Sequence, residues 1–263
     1  MNRHLMLAEL HQLLKPRNYL EIGIDTGMSM ALSRVPSVGI DPAFSITEEL
    51  DTDVRLVRAT SDDYFRDNNP TERFGGTPLD FAFVDGMHWA EFALRDFIYV
   101  EGYTSPTSVI VIDDMLPRNV AEAARERHTH EWTGDVFKVT TALRRLRPDL
   151  VVLEVDTEPT GTVMVLLPDA GSSVLVENYP SLEKRFLRAR DPQEIPDRVL
   201  SRTEAVDPRR LLDCGWWETL VQEREGQLPP GSLAAALAGQ DWTALRRTAP
   251  GADQVARSLA FSR

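Results

Sequence analysis

A single cysteine, Cys214, stands among the 263 residues, so no disulfide can form within the chain, which suits a reducing cytoplasm. Basic residues are also short. The 29 Lys and Arg against 41 Asp and Glu leave a formal charge of −12, and no Lys/Arg cluster stands out, which argues against a nucleic-acid binder. No apolar run approaches the roughly 18–20 residues of a membrane span. Residues 1–14 carry charges and histidines where a signal peptide would carry an apolar core. Internal repeats and low-complexity tracts are missing too. What is present, 42% hydrophobic and 27% charged residues, is the composition of a folded chain long enough to bury a sizeable core.

The apolar pattern predicts an α/β fold. Leu7, Leu10 and Leu14 recur at three- and four-residue spacing, an amphipathic helix over 4–14 that Pro16 ends. Short Val/Ile/Phe-rich runs follow at 19–24, 37–41, 54–58, 79–85 and 109–113, the texture of strands buried on both faces. Helical patterns over 28–33, 90–99, 120–127 and 136–147 alternate with them, which implies a mostly parallel sheet with right-handed crossovers. The stretch 42–53 is too short for a long crossover helix. Two more strands, 150–156 and 162–167, are joined by so short a link that they form an antiparallel hairpin. After Pro168, prolines punctuate short helical pieces such as 182–189 and 208–225. This divides the chain into a domain over 1–170 and a helical C-terminal appendage over 171–263, a lid or a homo-oligomer interface.

The stretch YLEIGIDTGMS (19–29) carries the most chemistry. A strand runs into Glu21, Gly23 and Gly27 and then a helix start. Glycines let the backbone approach a ligand, and the helix start offers free N–H groups. Asp41 closes the second strand, where a carboxylate can take both hydroxyls of a ribose. The plain alternative is a tight turn with no nucleotide. The dinucleotide fingerprint G-x-G-x-x-G is absent, which disfavours a nicotinamide dehydrogenase. The acid–x–Gly–x–x–x–Gly loop and the closing hairpin resemble the class I S-adenosylmethionine-dependent methyltransferases, from about Tyr19 to Leu167. The resemblance implies a Rossmann-like, seven-stranded, mostly parallel sheet and S-adenosyl-L-methionine as cofactor. It implies Glu21, Gly23, Gly27 and Ser29 around the methionine part, Asp41 at the ribose, and Thr60, Ser61 and Asp62 near the adenine.

Strands four and five end in LDFAFVDGMH (79–88) and VIVIDDM (109–115), so Asp85, Asp113 and Asp114 converge on the edge that carries the cofactor loop. Grouped carboxylates repel one another, and a hard cation, Mg²⁺ or Mn²⁺, relieves that repulsion. Helix capping and hydrogen bonds to loop amides are the structural alternative for Asp113 and Asp114. The same positions resemble the metal ligands of the catechol O-methyltransferase-like branch. The D-G-x-H after strand four resembles bacterial methyltransferases of sugar and natural-product tailoring. His88 stands where that branch often has lysine. Its imidazole suits a general base for a hydroxyl, beside Asp85 in the catalytic group.

The sequence thus points to an O-methyltransferase acting on a hydroxyl of a small molecule, assisted by a divalent metal. A metal-independent O- or N-methyltransferase with His88 as base, or a non-catalytic cofactor-binding or assembly module, are the alternatives. Arg118, Asn119, His128, His130, Trp132 and Asp135 form a candidate substrate loop, Trp216 and Trp217 read as packing aromatics, and Cys214 has no partner base to make it a nucleophile.

Overall fold

The computed structural model describes residues 1–246; the appendage expected over 171–263 is therefore described to 246, and its last residues lie outside. Seven strands form one sheet: β1 (Tyr19–Ile22), β2 (Ser37–Ile40), β3 (Val54–Val57), β4 (Leu79–Val84), β5 (Thr104–Ile112), β6 (Val151–Val155) and β7 (Thr162–Leu166). Their order is β3-β2-β1-β4-β5-β7-β6. β1 to β5 are parallel neighbours, and β7 runs antiparallel to both β5 and β6. This is the Rossmann-like, mostly parallel sheet with a closing antiparallel hairpin that the sequence implies.

Side chains alternate across each strand and build a core on either face. Ala82, Val84, Ile110, Ile112, Val163 and Val165 face one cluster. Phe81, Phe83, Val109, Val111, Met164 and Leu166 face the other. The first cluster is closed by Leu94, Phe97 and Val100 of α3 (Ala90–Glu101), Val139 and Leu143 of α4 (Lys138–Leu146), and Leu175 and Phe186 of α5 (Val174–Arg188). The second is closed from both ends of the chain. Met6, Leu7, Leu10 and Leu14 come from α1 (Arg3–Leu14), while Leu211, Trp216, Trp217, Leu220, Leu233 and Leu237 come from the C-terminal helices α7 (Pro208–Leu212), α8 (Trp216–Arg224) and α9 (Ser232–Ala238). Asn2 caps α1 by accepting from the Leu5 amide at 2.8 Å, and Lys15 ends it in a left-handed turn before Pro16.

Four local expectations change. The pattern at 28–33 yields only a 3₁₀ turn, Met30–Leu32. The helix expected over 120–127 is a chain of turns, because its carbonyls serve distant donors. Glu122 O accepts from the Thr133 and Gly134 amides, Ala124 O from the Trp132 indole and Arg125 O from the Trp89 indole. The helical run at 208–225 breaks into α7 and α8 around Cys214 and Gly215. A helix, α2 (Ser61–Asp67), follows β3, where the sequence pattern marked none. No described helix is long and apolar enough to cross a membrane.

Candidate active site

All the candidate residues sit at the carboxyl edge of the parallel strands, where an open α/β sheet binds its ligands. The loop after β1 arches over Glu21, which is fully buried. Its carboxyl accepts from Ser29 Oγ at 2.5 Å and from the Tyr19 hydroxyl at 2.7 Å. Burial pushes its pKa up to about 8 despite both donors, with Asp85 and Asp41 adding to the rise. Glu21 therefore lies beneath the loop, joined to Ser29 on the cavity wall. Gly23 is required by its neighbour strand. Its φ is +86°, and an added Cβ would stand 1.8 Å from the Asp85 carbonyl oxygen. That contact lets the β1 and β4 loops meet.

A cavity of about 420 Å³ opens beside this loop, lined by Gly23, Ser29, Asp41, Thr60, Ser61, Asp62 and Asp85 among the expected residues. Glu21 and Gly27 are not in its wall. Asp41 Oδ2 accepts the Ile24 and Asp25 amides at 2.8 and 3.0 Å, and Oδ1 accepts the Ala43 amide at 2.6 Å. Asp41 thus holds the glycine loop to β2 and keeps lone-pair capacity on Oδ1 for a hydroxyl. Thr60 caps α2 by accepting from the Asp63 amide at 3.1 Å. Both carboxylate oxygens of Asp62 are engaged by the Arg95 guanidinium, at 2.6 and 2.5 Å. Sequence reasoning missed Arg3 and His4 of α1, Met28, Met87, Phe92 and Asp96, which also line the cavity. Helix periodicity over 90–99 holds the signal for the last two: Phe92 and Asp96 are four residues apart, so they share a face.

The acids and His88 divide into two groups. His88 Nδ1 lies 2.6 Å from the Trp132 carbonyl oxygen, an acceptor only, so that nitrogen carries the hydrogen. The ring stacks on Trp132 with centroids 5.0 Å apart. Nε2 then faces Asp85 at 3.4 Å and Asp114 at 3.3 Å. One ligand atom from each of Asp85, His88 and Asp114 lies within 4.8 Å of the others. Burial works against the imidazolium, yet the Asp85 hydrogen bond, the Asp114 charge and the Trp132 carbonyl raise the His88 pKa to about 9. Burial, helped by the charge of Asp85, lifts Asp114 to about 6, although His88, the Thr160 hydroxyl and Arg3 oppose the shift. Asp114 also holds a left-handed φ of +60°, an unfavourable backbone for a residue with a Cβ.

Asp113, expected beside them, turns to α1 instead. Its Oδ2 stands 2.8 Å from Arg3 Nε. The pair is in ionic contact but is not aligned as a hydrogen bond. Burial and the neighbouring acids push the Asp113 carboxyl well up, with Arg3 opposing. Of the candidate substrate loop, only Trp132 meets this group. Asp135 is buried under Arg125 and Lys138, and His130 is almost wholly exposed.

The fold and the edge it presents define the class I methyltransferase architecture. Residues 20–115, which contain the glycine loop, Asp41, Asp85 and Asp114, match the family described as "Methyltransferase domain". That match spans the segment from β1 to the end of β5, which holds the glycine loop and the acid edge. No curated protein matches it. Similar solved structures include the O-methyltransferase of Bacillus cereus in complex with S-adenosylhomocysteine, at 18% identity over 63% of this chain and 80% of that one, TM-score 0.46. Another is the O-methyltransferase TomG of Streptomyces achromogenes, involved in tomaymycin synthesis, at 21% identity over 63% and 79%, TM-score 0.48. The fold assignment stands on the strand order given above.

Proposed function

We propose that the enzyme methylates a hydroxyl of a small molecule, one of an adjacent pair as in a sugar or natural product, with a divalent cation at the acid edge. The observation that carries this reading is the orientation of His88. Nδ1 is fixed on the Trp132 carbonyl, and Nε2 faces Asp85 and Asp114 beside the cofactor cavity.

The donor set fits a hard cation. Mg²⁺ is commonly held by one or two carboxylates, with water or substrate oxygens completing the octahedron. Asp85 and Asp114 would hold it here. When bound, S-adenosylmethionine supplies the electrophilic methyl group and the cation lowers the pKa of a hydroxyl. The protein's part is positioning and proton transfer. Gly23 and Ser29 shape one end of the cavity, and Asp41 fixes the loop between them. A cation on Asp85 and Asp114 would occupy the two contacts that hold the second proton of His88. Nε2, then neutral, would be placed to accept the hydroxyl proton, with the substrate oxygen kept in line with the methyl group.

A second reading follows from Arg3. Its guanidinium already faces Asp113 at the same edge and brings a fixed positive charge, so transfer would need no metal. Methyl transfer to a panel of sugars and vicinal diols, with Mg²⁺ or with excess chelator, separates the two. The first reading expects activity lost in chelator, and His88→Ala reduced by about 10²–10⁴-fold even with saturating metal. Full activity in chelator favours the second.

A further inference from the structure

One buried acid at the cavity is used by neither the fold nor the mechanism above. Asp96, on α3, is 2% exposed, and its Oδ1 has no hydrogen-bond partner. Ser61, at the start of α2, lines the same cavity wall and favours the ionised form of this carboxyl. The adjacent Arg95 makes no ion pair with it, because its guanidinium grips Asp62 in two-pronged fashion, and only its more distant charge favours the carboxylate. A proton on the carboxyl does not resolve the deficit: if Ser61 satisfies one oxygen, the other still lacks a partner, as acceptor or as donor. Burial lifts this carboxyl to about 7.

The surroundings say what kind of group would satisfy it. Phe92 lies one helical turn before Asp96, and both reach the cavity wall. Met87 contributes to the same wall. This part of the cavity is flanked by an aromatic ring and a thioether, with a single buried acceptor, a chemistry suited to a planar heteroaromatic ring bearing an amino group.

The strand ends give the order along the cavity. The glycine loop and Ser29 follow β1, Asp41 follows β2, and Thr60 and Ser61 follow β3. A ligand laid along that edge with its cationic amino-acid part near the loop and its ribose near Asp41 brings its base toward Ser61 and Asp96. Asp62, the acid expected there from the sequence, has both oxygens on Arg95 and is already satisfied. The geometry points to Asp96 as the acceptor for the exocyclic amino group of the cofactor's adenine, making the cavity select adenine over a 6-oxo purine. This rests on S-adenosylmethionine being the ligand of this cavity.

The test is calorimetric binding of S-adenosylhomocysteine and of S-inosylhomocysteine, which carries a carbonyl in place of the amino group. At about pH 8, where the carboxyl is ionised and can only accept, the intact protein binds the adenine form at least about tenfold more tightly, because the carbonyl analogue leaves Asp96 Oδ1 facing another acceptor. Asp96→Ala loses most of that preference, chiefly through weaker binding of the adenine form. Asp96→Ser, which keeps a small polar group in the buried site, does the same if the alanine variant does not fold. Equal affinity of the intact protein for both ligands, or a preference unchanged in a folded variant, overturns the role of Asp96 and leaves the cofactor reading standing. Binding of neither ligand by the intact protein overturns both.

Discussion

The guanidinium Nε of Arg3 lies 2.8 Å from Oδ2 of Asp113, joining the first turn of the first helix to the end of the fifth strand. The acid is buried and the base about a quarter exposed. Removing the base strands a buried carboxyl beside Asp114 and Asp85. Arg3→Ala should destabilise the protein by about 3 kcal/mol, the low end for breaking a buried ion pair. Adding Asp113→Asn should recover most of that loss. Urea unfolding of the single and double variants measures it. Equal stability of Arg3→Ala and the parent would mean that the pair does not hold α1 to the sheet.

Glu21 gives the stability a pH dependence of unusual sign for a carboxyl. Its folded pKa, about 8, lies above the ordinary 4.5 because burial disfavours the charge. The folded state therefore binds the proton more tightly than the unfolded chain. Its contribution is fully present below about pH 4.5 and is lost as the pH rises toward 8. Glu21→Gln, which keeps the shape without the charge, should flatten the decline between pH 5 and 8. A gain of about 3 °C in Tm at pH 8 corresponds to about 1 kcal/mol in a chain of this size. Parallel melting curves for both proteins across that range would contradict the assignment.

Two glycines with similar backbones separate local strain from crowding. Gly23 and Gly226 have φ of +86° and +73°. A Cβ on Gly23 meets the Asp85 backbone at 1.8 Å, whereas one on Gly226 meets nothing within 4 Å. Gly226→Ala should cost about 1 kcal/mol, the price of a left-handed alanine. Gly23→Ala must also displace the β4 loop, so it should cost several times more and abolish cofactor binding. Denaturation midpoints and S-adenosylhomocysteine titration compare the two. Similar costs would show that the loop moves freely.

The inner strands are legible in the sequence because a strand buried on both faces is a continuous apolar run, as at 79–85 and 109–113, whereas the edge strand β3, none of whose residues is buried, shows only a short Val/Leu run. The closing hairpin is legible because its link is too short for anything else. The turns at 120–127 are not, since their periodicity matches a helix and only the distant Trp89, Trp132 and Thr133 divert the carbonyls. Among the site residues, Asp41 and Asp85 follow from strand ends. The division of the acids does not. Nothing local to Asp113 indicates that Arg3, 110 positions earlier, will take it, and nothing near Asp62 shows that Arg95 satisfies both its oxygens. Asp96 reads as one more polar residue on a helix until α2 and the cavity are placed against it.

The second core cluster has a consequence for how the protein is made. Its cover on the β4 and β5 side chains comes from α1, synthesised before the sheet, and from α7 to α9, synthesised after every strand of the sheet. As the chain leaves the ribosome, the α3 to α5 face can close in step with synthesis. The opposite face must wait with Phe81, Phe83, Val109 and Val111 only partly covered by one helix. Folding on that side therefore finishes after translation has passed the last strand by more than forty residues, and in that interval the nascent chain displays an apolar surface of the kind that chaperones hold.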